Sequence, residues 1–167
     1  MTEELDNQPL AAVPLDAFHT RLYRVAPTNL SAGTAQTSGM QRREAISGAT
    51  VGSENLWMGQ THVAPATMSA NHHHGVSETG IYVVSGHPEF VFLDPDSEEP
   101  TEQRLRTGPG DYIYVPPWVP HREENSDPEE EAVIVIARTT QEAIVVNLPD
   151  LTWVGPVAVG RKPRPRR

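Results

Sequence analysis

No stretch of this chain keeps a helical period for more than two turns before a proline, a glycine or an acidic turn interrupts it. With 16 Pro and 12 Gly in 167 residues, the chain is cut into short segments, and several of these alternate in strand period. Tyr112-Ile113-Tyr114-Val115 is stopped by Pro116-Pro117, Gly80 to Val84 runs into a turn at Ser85-Gly86, and Glu89 to Leu93 precedes an acidic turn from Asp94 to Gln103. Arg104-Leu105-Arg106 alternates, and Ala132 to Ala137 is a continuous, largely β-branched apolar run that predicts a strand buried on both sides. Ser53 to Ala64 predicts a longer strand, with Leu56, Met58, Gln60 and His62 on one face, read as inward, and Trp57, Gly59, Thr61 and Val63 on the other. Leu22 to Val25 predicts a short strand, residues 28–41 a polar loop, and Ala143 to Val146 a last strand or a helical turn starting near Thr140. Many short strands joined by Gly, Pro and Asp turns make an all-β sandwich or barrel.

The length suits one domain with a real core. Hydrophobic residues make up 37% and aromatics 6%, a loop-rich globular composition. No apolar run approaches 18 residues, so no transmembrane helix is expected, and the acidic N-terminus lacks the basic and apolar regions of a secretory signal. Without cysteine there is neither a disulfide framework nor a thiolate metal site, and a cytoplasmic location is the default. The net charge of −9 conceals a split: residues 161–167 hold five basic groups, leaving 8 basic against 22 acidic residues before them. An acidic body repels phosphates, so neither nucleic acid nor a membrane surface is an expected partner. The chain divides into an N-terminal arm (1–20), a β-barrel (21–155) and a basic tail (156–167) expected to be solvated.

Two histidine-bearing segments carry the chemistry. The first is His72-His73-His74-Gly75-Val76-Ser77-Glu78, and the second runs from Gly110 through Pro116 to His121 and Asn125. Imidazoles at i and i+2 leave the same face of a strand, whereas on a helix they would point about 200° apart. His72 and His74 share a face by this rule, and Glu78 keeps the even spacing if the strand continues past Gly75. His121 follows a proline bend from which an extended segment can re-enter a barrel mouth. Three neutral nitrogens and one carboxylate suit a first-row divalent metal.

These segments resemble the two motifs of the cupin family, G(x)5HxH(x)3–4E(x)6G and G(x)5PxG(x)2H(x)3N. His72, His74, Glu78 and Gly86 match the first, with seven residues rather than six before Gly86 and Ala66 where its leading glycine belongs. Gly110, Pro116, His121 and Asn125 match the second, with Trp118 in place of a glycine. The resemblance covers about residues 54–147. It implies a double-stranded β-helix, or jelly-roll, cupin barrel with little helix, and one divalent transition metal held by His72, His74, Glu78 and His121. Iron or manganese is favoured, with nickel, copper or zinc as alternatives. It also implies a homodimer, for which the Ser53–Ala64 strand is read as an edge that needs cover.

The functional expectation is a metal-dependent enzyme acting on a small polar organic molecule, with a dioxygenase preferred to an isomerase, lyase or decarboxylase; isomerisation is disfavoured because no second carboxylate or lysine base stands near the ligands in sequence. The alternatives are a non-catalytic metabolite-binding or sensing module and a cupin whose histidines are relics. Candidate pocket residues are Gln60, His62, Tyr82, Tyr114 and Trp118, with Arg138 as an anchor for a substrate carboxylate. His73 alternates to the opposite face.

Overall fold

A computed structural model describes residues 21–98 and 101–150. The expected arm (1–20) and tail (156–167) lie outside the described residues. The strands are β1 (Met40–Ile46), β2 (Trp57–Val63), β3 (Thr67–Met68), β4 (His72–His73), β5 (Thr79–Ser85), β6 (Glu89–Leu93), β7 (Glu102–Arg106), β8 (Tyr112–Val115), β9 (His121–Asn125), β10 (Ala132–Arg138) and β11 (Val146–Asn147). One antiparallel sheet has the order β1-β2-β10-β5-β8, and the other has β11-β4-β9-β6-β7 with β3 also paired to β9. The only α-helix among the described residues is the single turn α1 (Gly48–Val51), started by a Ser47–Thr50 capping box. This is the all-β architecture that the turn spacing predicts, in the jelly-roll form that the resemblance implies.

The core lies between the sheets. Trp57, Ile81, Val83, Phe90, Ile113, Val115, Ile134 and Ile136 form one buried cluster, and Met40, Val63 and Ala132 a second. These residues come mostly from alternate strand positions, as period-two side chains facing a shared interior require. Strict alternation along β2 and β10 sets their register, Ile134 opposite Thr61 and Ile136 opposite Gly59. Gly86 closes the turn after β5 with φ +74°, and a Cβ there would meet the Cα of Ala132 at 2.7 Å, so only glycine fits. Asn125 holds the end of β9 by donating from Nδ2 to the carbonyls of Val63 at 3.1 Å and Glu130 at 2.7 Å.

Four expectations about strands change. The inward face of β2 is Trp57, Gly59, Thr61 and Val63, so Gln60 and His62 turn away from the interior. β2 lies between β1 and β10, so it is not a sheet edge, which removes that argument for a partner subunit. The outward residues of β10 are half-buried, not buried on both sides. Leu22 to Val25 is not a strand, and Leu22 is fully exposed. The strand that sequence reasoning missed is β1, because its inward positions are Met40, Arg42 and Glu44 and the apolar alternation is absent.

Candidate metal centre

Three short pieces of chain converge inside the barrel. β4 pairs with β9 at a single position, His72 opposite His121. That register brings residues 49 positions apart into cross-strand contact, with ring centroids 4.5 Å apart. His74 follows β4 and completes the group, its ring 5.2 Å from that of His72 and 4.7 Å from that of His121. Glu123, two residues beyond His121 on the same face of β9, supplies a carboxylate. One donor atom from each of His72, His74, His121 and Glu123 lies within 4.8 Å of the others, and all four residues are buried.

Each imidazole is oriented through its other nitrogen. The Nδ1–H of His72 donates to the carbonyl of Ala70 at 2.9 Å, and that of His121 to the carbonyl of Val119 at 3.0 Å. A carbonyl only accepts, so both rings carry the proton on Nδ1 and present a lone pair at Nε2. His74 Nδ1 sits 2.8 Å from the hydroxyl of Thr79. The three Nε2 atoms have no hydrogen-bond partner although they are buried. Orphaned buried nitrogens are costly, and three of them aimed at one carboxylate fit a divalent metal, whose ligand histidines are held by partners on the second ring nitrogen. Bonds of about 2.1 Å put opposite donors about 4.2 Å apart, close to the span seen here.

The electrostatics favour ligation. Burial lowers the His74 imidazole far below its usual range, with Arg138 and the neighbouring histidines adding to the effect. Burial lowers His121 to about 4, with Glu123 partly opposing. Both are therefore neutral near pH 7, the form that binds metal. Burial opposes ionisation of Glu123, but His72, His121, Arg42 and a hydrogen bond from Ser69 outweigh it and bring the carboxyl to about 2. Ser69 Oγ donates to Glu123 Oε2 at 3.0 Å and accepts from the Glu123 backbone N–H at 3.0 Å, which locks the carboxylate in place.

Glu78 is not in this group. It is exposed, and its Oε1 accepts from the Tyr114 hydroxyl at 2.9 Å. The strand does not continue past Gly75, which turns with φ +57°, so even spacing from His74 carries no meaning beyond it. When β5 begins, its inward positions are Thr79, Ile81 and Val83, one residue out of phase with Glu78. Thr79 thus stands where a carboxylate was expected, and Glu123 supplies the charge from β9. The signal was present: His121-x-Glu123 has the same i, i+2 spacing as His72-x-His74.

The other candidates scatter. His62 faces outward, its Nδ1 2.8 Å from Glu131. Gln60 shares that outward face, and Tyr82 lies on the outer face of β5 with its ring 4.9 Å from that of Tyr112. Trp118 is exposed, its ring tilted against that of His73 with centroids 5.3 Å apart, and its backbone N–H donates to the carbonyl of Gly75 at 2.9 Å. It adopts φ +65°, the left-handed conformation that explains why the motif has glycine here and that strains a tryptophan. Arg138 alone of the pocket candidates points inward and is buried. Sequence reasoning missed Arg42, Glu123, Ser69 and Thr79.

One cavity reaches the centre. It measures about 270 Å³ and is walled by Phe90, Phe92, Leu105, Ile113, Val119 and their apolar neighbours, with Tyr114 at its wall and His121 as its contact with the metal group.

The family model for the cupin domain matches residues 59–137. No curated protein matches the chain significantly by sequence. Among solved structures, the chain is similar to the polyketide cyclase RemF from Streptomyces resistomycificus, with a TM-score of 0.59 and 22% identity over 77% of this chain and 86% of that one. It is also similar to oxalate decarboxylase from Bacillus subtilis, with a TM-score of 0.58 and 21% identity over 69% of this chain. The match spans only 29% of that longer chain, for which a further structure describes Mn(II) centres. At these identities the likeness shows the fold. Matched family model, strand order and histidine placement agree: residues 59–137 match the cupin domain, consistent with a small cupin-domain protein.

Proposed function

We propose that the chain is a metal-dependent enzyme acting on a small organic molecule with an apolar, ring-sized body. The observation that carries this reading is the apolar cavity of about 270 Å³ that ends at His121, one of the four residues grouped around a common point. This reading departs from the expected polar molecule: Phe90, Phe92, Leu105 and Val119 would bury an apolar body, leaving its oxygen-bearing end toward the centre. His72, His74, His121 and Glu123 would hold the ion. A divalent ion bound there would supply Lewis acidity and, if iron or manganese, a redox-capable centre open to oxygen donors.

The chain's own part is to bind, orient and exclude water. Among the described residues, Tyr114 and His121 are the only ionisable side chains in the cavity wall, and the Tyr114 hydroxyl is engaged with Glu78. With so little acid–base equipment on the wall, oxygenation is the favoured reaction. A second reading, a ring closure without oxidation, has support from the similarity to a polyketide cyclase over 86% of that enzyme's length.

The test is metal analysis of untagged protein, followed by a screen of hydroxylated aromatic compounds with Fe(II)- or Mn(II)-loaded protein, reading dioxygen uptake and product mass. Substrate-dependent uptake is expected. Product of unchanged oxygen content favours the cyclase reading. Protein that takes up no metal, or binds these compounds without turnover, overturns the enzyme reading.

A further inference from the structure

Two guanidinium groups are sealed inside the barrel with two of their three nitrogens unused. Arg42 on β1 and Arg138 on β10 are each 1% exposed. Both are anchored the same way: Nη1 of Arg42 donates to the carbonyl of Ala35, and Nη1 of Arg138 donates to that of Ile144 at 2.9 Å. The Arg138 group also lies over the Trp57 ring, 5.5 Å from its centroid. In both residues Nε and Nη2 have no hydrogen-bond partner. Those two nitrogens share one edge of the guanidinium plane, so each arginine presents a complete, fixed two-donor fork of the kind that matches the two oxygens of a carboxylate. Thr61, opposite Arg42 in the sheet, adds a third buried group, its hydroxyl also without a partner.

No described carboxylate fills these forks. The described ion pairs include neither arginine. Glu44 accepts from the Trp57 indole N–H at 3.2 Å, and Glu123 faces His72 and His121 at 3.6 and 3.8 Å. Burial, then repulsion from Arg42, lowers Arg138 to about 9, and burial lowers Arg42. Arg138 stands opposite Thr79, whose hydroxyl is 2.8 Å from His74 Nδ1, which puts it beside the metal centre, and Arg42 is within electrostatic reach of His74 and Glu123. A divalent ion placed beside two buried guanidinium groups adds positive charge to the interior and favours an anion there.

We propose that Arg42 and Arg138 form a subsite for the carboxylate of a small organic acid, inside the barrel and next to the histidine–glutamate group. This deepens the enzyme reading by naming the charged end of its substrate, but the subsite itself does not need the metal. Keeping the forks unpaired in the free protein is costly, as expected of a site shaped for a ligand.

The test is thermal unfolding of the full untagged chain, both chelator-treated and metal-loaded, with formate, acetate and benzoate against formamide, acetamide and benzamide. At a few times the dissociation constant, at least one acid should raise the unfolding temperature by about 2–4 °C in both forms while its amide does not. Arg42→Met and Arg138→Met should each abolish the shift, read against each variant's own unfolding temperature without ligand. Should either variant fail to fold, the Nε–H signals of buried arginines in wild-type protein labelled with nitrogen-15 give the same answer, moving on titration with the acid and not with the amide. Equal effects of acid and amide, no effect of any acid, or a shift that survives both substitutions overturns the subsite. A shift confined to the metal-loaded form assigns the carboxylate to the metal and also overturns it. A chain that binds no metal but keeps the acid-specific shift would sink the enzyme reading and leave the subsite standing.

Discussion

β1 and β10 flank the same strand and face the same interior, yet they send opposite chemistry into it. β10 points Ala132, Ile134, Ile136 and Arg138 inward, whereas β1 points Met40, Arg42 and Glu44. Ile134 and Ile136 of β10 join Ile81, Val83 and Ile113 of the same sheet and Phe90 of the other in one buried cluster between the sheets. Arg42 and Arg138 instead lie beside His74, His121 and Glu123, and several polar atoms in this region are unsatisfied. The barrel is thus divided into an apolar part that stabilises the fold and a polar part that carries cost. Polar groups buried without partners persist where a ligand completes them.

Substitutions sharpen this division. Ile136→Ala, in the apolar part, should cost about 2–5 kcal/mol of unfolding free energy by denaturant titration, since it opens a cavity among fully buried neighbours. A cost below about 1 kcal/mol would mean that the cluster is not the scaffold. Glu123→Gln, in the polar part, should weaken metal binding by more than about 100-fold, beyond the effect of losing a group that only orients a ligand. The same change at Glu78 should leave affinity within about twofold, because it is exposed and tied to Tyr114. The reverse ranking would return the ligand role to Glu78.

Acid should act on the polar part first. His121 is lowered to about 4 in the folded chain, and His74 is lowered as well. Below about pH 6.5 the unfolded chain therefore takes up protons that the folded chain refuses, and stability falls as pH drops toward 4. The slope is at most about 1.4 kcal/mol per pH unit for each such histidine, measured on metal-free protein. Glu123, lowered to about 2, extends the loss below the ordinary carboxylate range. Flat stability between pH 6.5 and 4 would contradict neutral, buried imidazoles. A milder effect than that of Glu123→Gln is expected of Thr79→Val, which removes only the hydroxyl beside His74 Nδ1. It should reduce metal affinity by about tenfold with little change in metal-free stability.

The parts that were legible in the sequence are those that follow from local rules. Strand period and Gly–Pro punctuation gave β5, β6, β8 and β10, and the i, i+2 rule put His72 and His74 on one face. The same rules failed wherever the backbone turned. Gly75 resets the phase, so Glu78 is lost and Thr79 gained, and nothing in the spacing alone announces it. β1 escaped notice because a strand that buries Arg42 and Glu44 has no apolar alternation to detect.

The amino-acid order by itself determined an all-β barrel and the residue types able to bind a metal, because side-chain alternation and turn preference act over a few neighbouring residues. Only the tertiary structure decided which carboxylate joins the three histidines and that two arginines lie beside them. Those choices depend on strand register, His72 against His121 and Arg42 against Thr61. Register is set by packing across the whole barrel, between positions dozens of residues apart.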